Sequence, residues 1–578
     1  MQARSENPLI VQSDRTILLE TAHARYEEAR DAIARFAELE KSPEHVHTYR
    51  ITPLSLWNAA ASGLGGGEIL ATLDGLSRYP VPQNVRFDIE DIVGRYGKLR
   101  LERTGDGALV LTTDDEALLA EVMRLKSVEP CIESALDSRR LAVRSGVRGA
   151  LKQALIKAGF PVEDLAGYVD GAALAVGLRE RTLGELPFHL RAYQEEAVRL
   201  FHAEGSSRGG SGVIVLPCGA GKTMVGLGAI VRLRTHTLIL IANVSALRQW
   251  RDEILDKTTL TPADVGEYSG HEKEIRPVTL TTYQLLTYRR AREEQFLHFR
   301  LFEERDWGLI VYDEVHLLPA PIFRATAELQ ARRRLGLTAT LVREDGREDD
   351  VFTLIGPKRY DVPWKDLERQ GWIATARCSE IRLPLSAERR RSYAVADQRA
   401  KFRLASTNPL KLDLIRSLLV EHRDDKVLVI GQYLDQLDEI AAETGAPIIT
   451  GKTPQGERDA LYERFRQGDL NVLIVSKVAN FAIDLPDANV AIQVSGTFGS
   501  RQEEAQRLGR ILRPKTGANQ ARFYALVTRD TRDQEFAQNR QRFLTEQGYQ
   551  YEIRLWDPPA AVTEGGQTPR GLSPQAGS

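Results

Sequence analysis

The stretch Ser211–Val231, "SGVIVLPCGAGKTMVGLGAIV", changes character twice. It starts as an apolar strand, tightens into a glycine-rich turn and continues with the apolar spacing of a helix. Gly219 and Gly221 let backbone N–H groups approach phosphate oxygens without a Cβ in the way, and the helix that follows adds the positive end of its dipole. Lys222 has the reach for β- and γ-phosphates, and Thr223 offers a hydroxyl to Mg²⁺. The strict P-loop pattern has a glycine where this chain has Leu216, so the strand–turn–helix context carries the reading, not Gly-Lys-Thr alone.

Around this stretch, short apolar runs alternate with helical patterns: "TLILIA", "PVTLTT", "WGLIVYD" and "RRLGLTA". A second series follows: "DKVLVIGQ", "APIIT", "NVLIVS", "NVAIQV" and "ARFYALV". Buried β runs separated by helices predict two consecutive α/β domains, each with a parallel sheet. In "LIVYDEVH", Asp313 and Glu314 would emerge at a strand's carboxyl end, where α/β sheets bind ligands. Phosphoryl transfer needs one carboxylate for Mg²⁺ and one for the attacking water, and these roles fall to Asp313 and Glu314 in that order. His316 reads equally well as a coupling residue or a packed histidine. The second series lacks a P-loop but has "EEAQRLGRILRPK", where Gln506, Arg510 and Arg513 share a helix face beside Arg507. Opposite a bound γ-phosphate, that face is a candidate arginine finger; alone, it would be a solvated surface. Gln194 in "LRAYQEEAV" is a candidate reader of the adenine edge.

The totals restrict the rest. At 578 residues the chain exceeds one core and predicts about three or four domains. With 78 basic against 80 acidic residues, the net charge of −2 neither requires nor excludes nucleic acid, since a local basic groove vanishes in the sum. Cys131, Cys218 and Cys378 lie far apart with no C-x-x-C pair, which argues against a disulfide framework and a cysteine-ligated metal. No run approaches the roughly 20 apolar residues of a membrane span, so the expectation is a cytoplasmic chain with no membrane partner. The last residues, "DPPAAVTEGGQTPRGLSPQAGS", have the composition of a disordered tail.

The segments "LRAYQ", "LPCGAGKT", "ANVSALRQW", "TTYQLL", "DEVH", "LTAT", "GERDALYERFRQG", "SKVANFAIDLP" and "QRLGRILR" resemble the motifs of a superfamily 2 helicase, in that family's order. Within it the chain resembles the XPB/Ssl2-type DNA repair helicases, on "DEVHLLPAPIFR", "RLGLTATLVREDG", "FTLIGPKRYDVPW" and "EEAQRLGRILRPK". "HVHTYRITPLSLWNAAASGL" and "YGKLRLE" are similar to the accessory domain preceding such motors. The resemblance implies two tandem RecA-like parallel-sheet motor domains preceded by mixed α+β accessory domains. It implies ATP and Mg²⁺ as cofactors, and 3′–5′ action on single-stranded, duplex or forked DNA, in nucleotide excision repair. A nuclease or other repair partner and a monomeric chain complete the expectation.

Residue by residue, the resemblance extends nucleotide contacts to Arg191, Pro217, Cys218, Ala220 and Asp484. Thr338 and Thr340 would couple nucleotide to DNA, and Arg343-Glu344-Asp345 matches a triplet the family uses to open duplexes; a polar loop is the competing reading. The family's Gly-Asp before Asp484-Leu-Pro is Ala479-Asn480 here, which puts the strength of ATP–DNA coupling in doubt. The expected division is an accessory domain at 1–130, a damage-recognition-like module at 131–182 and a first motor domain at 183–383. A thumb-like insertion rich in Arg at 384–410, a second motor domain at 411–556 and the tail at 557–578 complete it. Two alternatives use the same residues: a duplex translocase that does not unwind, and a DNA-binding scaffold with weak ATPase.

Overall fold

The structure, a computed structural model, describes residues 6–558 apart from 42–44, 106, 207, 218, 290–296, 320–321, 323–325, 327–331, 340–347, 363, 477–487, 497–518, 547–548 and 550. Both predicted α/β domains are present. The first is a seven-stranded parallel sheet. Its strands are β10 (Ser211–Val215), β11 (Thr237–Ile241), β12 (Val265–Tyr268), β13 (Val278–Thr282), β14 (Leu309–Asp313), β15 (Arg333–Thr338) and β16 (Lys358–Asp361). Their spatial order is β12-β13-β11-β14-β15-β10-β16. Every residue of β10, β11 and β13 is buried, as a sheet covered on both faces requires.

The second motor sheet also has seven parallel strands, in the order β19-β20-β18-β21-β22-β17-β23. These are β17 (Thr375–Leu383), β18 (Val427–Gly431), β19 (Ile448–Ile449), β20 (Val472–Ser476), β21 (Val490–Gln493), β22 (Gln520–Thr528) and β23 (Tyr551–Leu555). A fully buried ion pair locks one side of it. Lys411 Nζ lies 2.9 Å from Asp533 Oδ2 and donates to Val494 O at 2.8 Å, while Thr528 N–H donates to the same carboxylate at 3.1 Å.

Two smaller sheets precede the motor. β1 (Leu9–Val11), β2 (Thr16–Glu20), β3 (Glu38–Lys41) and β4 (Val46–Arg50) form an antiparallel sheet ordered β1-β2-β4-β3, covered by helices at Tyr26–Ile33, Pro53–Ala61, Gly66–Leu76 and Gln83–Arg95. β5 (Leu99–Arg103), β6 (Leu109–Thr112), β7 (Ile132–Asp137), β8 (Arg140–Val143) and β9 (Val162–Asp164) form a mixed sheet ordered β7-β8-β6-β5-β9. This corrects the division expected at 130/131, which would cut β6 from β8, its antiparallel partner. The division expected at 383/384 is corrected too: β17, ending at Leu383, pairs with β22 and β23 in the second motor sheet. By its spacing alone the stretch "EDLAGYVDGAALAVGL" at 163–178 reads as a continuation of the helical unit "VRGALKQALIKAGF". The chain instead leaves that helix through Gly159 at φ +83°, forms β9, and runs along the first motor domain, with Ala172 N–H on Asp306 O and Leu174 N–H on Arg234 O.

The accessory sheets are docked on the motor. Trp57, Ile156 and Phe352 form one apolar cluster across three units, and Asn58 Oδ1 caps the edge strand by accepting from Lys358 N–H at 3.0 Å. Behind them Asp164 receives Arg148 through Nε and Nη2 and Lys152 through Nζ. Burial opposes its charge, but Lys152 and Arg148 outweigh it and hold this carboxyl well below the usual carboxylate range, while burial brings Lys152 down to about 8.

His47 on β4 is buried beside Tyr26 Oη, 3.0 Å away. Burial, and then Arg30, lower its pKa from 6.5 to about 4. The folded domain therefore rejects a proton that the unfolded chain accepts, so stability falls as pH drops from 6.5 to about 4, by roughly 3 kcal/mol in all. The hydrogen-exchange protection factors of Val46–Arg50 in the full chain, taken relative to the intrinsic rate at each pH, should fall as pH drops through that window, and His47→Gln should flatten the fall.

Candidate functional site

The neighbours β14, β15 and β10 end side by side, and each delivers one part of the site. Beyond β10, Gly219 and Gly221 take left-handed φ values of +82° and +79°, and helix Lys222–Leu233 starts there. A side chain at Gly221 would also strike Gln194 Nε2, whose distance to the built Cβ is 2.6 Å. At the end of β14 stand Asp313 and Glu314. Glu314 has φ +51° and ψ +56°, a conformation that non-glycine residues seldom adopt. Its Oε1 lies 3.4 Å from Lys222 Nζ. At the end of β15, Thr338 Oγ1 is hydrogen-bonded to His316 Nδ1 at 2.6 Å, and Thr338 O accepts from Leu216 N–H at 3.0 Å. His316 Nδ1 is in turn 3.5 Å from Glu314 Oε2. The histidine thus couples carboxylate to strand.

The two carboxylates are electrostatically unlike. Burial and the adjacent Glu314 push Asp313 up to about 6. For Glu314, burial is outweighed by Lys222 and His316, which hold its carboxyl below the ordinary value. A divalent cation beside Asp313 would remove the reason for its raised pKa, which suits it as a metal ligand. Trp250 Nε1 donates to Asp313 Oδ2 at 3.0 Å, and Tyr283 Oη donates to Asp313 O at 2.8 Å. Trp250 is pressed on helix Lys222–Leu233 at Gly226, where a Cβ would come 2.4 Å from Cη2. Glu314 Oε2 is buried and, among the described residues, accepts no hydrogen bond, leaving it available to a water or ligand. A glycine cradle, a lysine, a hydroxyl at Thr223 and two carboxylates fit a triphosphate with Mg²⁺.

The structure links Arg191, through Tyr193, and Gln194 to Ala220 by hydrogen bonds, and links Lys222 to Glu314 and, through His316, to Thr338. Asp313 adjoins Glu314 at the strand end, and Pro217, Gly219, Gly221 and Thr223 lie on the same turn. Gln194 Oε1 accepts from Arg191 N–H at 2.9 Å and so caps its own helix, while its Nε2 donates to Ala220 O at 3.0 Å and holds the turn. Cys218, Thr340, Arg343, Glu344, Asp345, Asp484, Gln506, Arg507, Arg510 and Arg513 lie outside the described residues. Trp250 and Tyr193, whose Oη donates to Ala220 O at 2.7 Å, stand inside the motifs "ANVSALRQW" and "LRAYQ" but carried no assigned role. An aromatic donor adjoining a motif was the signal.

Three family models match consecutive regions. The helicase conserved C-terminal domain matches residues 9–137, which here hold the antiparallel sheet, not a motor sheet. The type III restriction enzyme res subunit matches residues 187–343, and the ERCC3/RAD25/XPB C-terminal helicase matches residues 367–557. The DNA 3′-5′ helicase XPB of Mycobacterium tuberculosis is 55% identical over 95% of this chain and 98% of its own length. The protein of the same name from Kineococcus radiotolerans is 56% identical over 95% and 96%. A third relative, the general transcription and DNA repair factor IIH helicase/translocase subunit XPB/SSL2 of Saccharomyces cerevisiae, is 32% identical over 94% of this chain and 71% of its own.

Trp250→Phe keeps an aromatic ring at this position but removes the donor to Asp313. The Mg²⁺ concentration giving half-maximal nucleotide hydrolysis should rise about tenfold, the usual cost of losing a hydrogen bond to a metal ligand.

Proposed function

The chain belongs to the XPB family of DNA 3′–5′ helicases, and from that premise we propose how its residues carry the activity. The observation that supports the reading best is the convergence at the ends of β10, β14 and β15, with Lys222 on Glu314 at 3.4 Å and Asp313 beside them. The substrate is ATP. Backbone N–H groups of the 217–223 turn receive its phosphates, and Lys222 exchanges its contact with Glu314 for the β- and γ-phosphates. Asp313 and Thr223 would hold Mg²⁺, which would supply positive charge beside the transferred phosphoryl. Glu314, released from Lys222 and steadied by His316, orients the attacking water and takes its proton.

From the second motor domain, Gln506, Arg510 and Arg513 complete the site, with Arg507 and Asp484 in support. The guanidinium fork suits charge spread over phosphoryl oxygens. Hydrolysis then alters the grip of the two domains on DNA. Thr338 and Thr340 relay the change to Arg343, Glu344 and Asp345, which act on the strands at the fork. The DNA is held through phosphates, in part by helices Ala387–Val395 and Gln398–Ser406 with Arg389, Arg390, Arg391, Arg399, Lys401 and Arg403, so affinity should fall steeply with salt. The chain acts as a monomer in DNA repair, with a nuclease or another repair protein as its partner. Translocation on duplex DNA without unwinding is the second reading. Ala479-Asn480, standing in place of Gly-Asp, bears on it because that motif sets how strongly ATP and DNA are coupled.

Steady-state ATP hydrolysis with and without DNA tests the proposal. DNA should stimulate the wild-type rate about tenfold or more, and Lys222→Ala should remove at least about two orders of magnitude. Hydrolysis indifferent to DNA would overturn the reading. On a forked duplex with a 3′ tail, Arg343→Ala should reduce strand displacement more than ATP hydrolysis. Equal loss of both would count against a separating role, and no displacement by the wild type would select the translocase.

A further inference from the structure

Between helix Trp364–Arg369 and β17 the two motor domains are joined by a short connection that carries Trp372. The connection is moored to the second domain. Asn519 Nδ2 donates to Ile373 O at 3.2 Å, Thr375 N–H donates to Asn519 O at 2.9 Å, and Trp364 meets Tyr549 edge-on with ring centroids 6.2 Å apart. Trp372 itself is half-buried, its N–H on Leu367 O at 2.9 Å. The guanidinium of Arg191, a first-domain residue, lies over its ring, 4.4 Å from the centroid.

Arg191 is tied in turn to the phosphate-binding turn. Its Nη1 donates to Tyr193 Oη at 3.1 Å, and Tyr193 Oη donates to Ala220 O at 2.7 Å. Three consecutive contacts therefore run from the turn to the interdomain connection. Only a guanidinium can donate in its plane to Tyr193 while presenting its face to an indole; a lysine ammonium would have to choose. A 390 Å³ cleft between Tyr193, Tyr360 and residues 366–370 leaves the helix before the connection room to shift.

We propose that Arg191 and Trp372 are positioning residues that transmit occupancy of the phosphate-binding turn to the interdomain connection. Phosphate entering the turn moves Ala220 and with it Tyr193. The guanidinium, fixed to Tyr193 Oη, follows and changes its seat on Trp372, so the hinge differs between the nucleotide-free and nucleotide-bound states. The inference rests on the ATP-driven motor reading and adds a mechanical route to it. It makes Trp372 an optical reporter as well as a lever, one of 6 tryptophans in the chain.

The test uses the full chain with Trp372→Phe and Trp372→Leu. ADP added to the wild type should change tryptophan emission, and the change should fall by at least about half in Trp372→Phe while the Kd for ADP stays within about twofold. In Trp372→Leu, kcat in saturating DNA should drop about tenfold, with KM for ATP and the DNA-free rate within about twofold of wild type. Trp372→Phe keeps an aromatic face and should retain at least about half of the stimulated kcat. An undiminished emission change in Trp372→Phe, or full DNA stimulation in Trp372→Leu, overturns the proposal. A matched thermal midpoint separates coupling from misfolding; if Trp372→Leu fails to fold, the emission comparison with Trp372→Phe still decides. A wild type that hydrolyses no ATP would sink the motor reading, and emission with ADP would still judge the route.

Discussion

Parallel backbone pairing of β15 with both β14 and β10 is the constraint on which the rest depends. Val215 pairs with Thr338 and Asp313 with Leu337, so three strand ends lie within one or two residues of each other along the sheet. A one-residue slip in either ladder would turn the side chains of the slipped strand to its other face. The register is pinned by burial: every position of β10 and nearly every position of β14 and β15 is buried, and any slip would move apolar side chains out of place. The geometry of the proposed site is thus a by-product of core packing. The proposed chemistry needs Lys222, Asp313, Glu314 and Thr338, but Ile214, Val311 and Leu335, none of them exposed, set the distances between them.

Most of the motor's strands were legible in the sequence because strands covered on both faces are continuous apolar runs, and several carried a motif at the carboxyl end. Nucleotide chemistry was legible for a related reason, since a glycine cradle and a carboxylate pair tolerate few substitutes. The accessory region was less so. Its strands are short, and β7 exposes nearly all its residues, so no run marks it. The helical spacing across 163–178 misled because those apolar residues face the motor domain, not the helix's own domain. Pairing between β6 and β8, separated by a helix and β7, decided where one unit ends, and local spacing holds no trace of such pairing. Gln194 shows the same limit at the scale of one side chain: the carbonyl that its amide holds belongs to a loop 26 residues away.

The two halves of the chain are also held differently. The accessory sheets meet the first motor domain through the Trp57–Ile156–Phe352 cluster and direct hydrogen bonds such as Tyr168 Oη to Ser211 Oγ and Gln153 Nε2 to Asp350 Oδ1. Close behind, Asp164 is buried between Arg148 and Lys152; losing a partner of a buried pair is costly, so the accessory side of this junction is rigid. The motor domains are joined instead through aromatic and cation–π contacts at Trp364, Trp372 and Tyr549, which tolerate sliding at modest cost. A machine that must move one joint and keep another fixed has reason to build them from different interactions.

Glu314 brings these themes to one residue. Its left-handed backbone costs on the order of 1–3 kcal/mol, so its surroundings must enforce it. Lys222 from the phosphate turn, His316 beyond the strand and the N–H of Ala339 at the end of β15 do so together. Each belongs to a different part of the site. In the proposed cycle the carboxylate is tethered to the lysine that leaves it for phosphate. On that proposal, when Lys222 turns away Glu314 keeps its strained backbone and its histidine but loses its cation, and it becomes a stronger base as the substrate arrives. Strain fixes where the carboxylate points, and the exchange of lysine partners fixes when it is free to act.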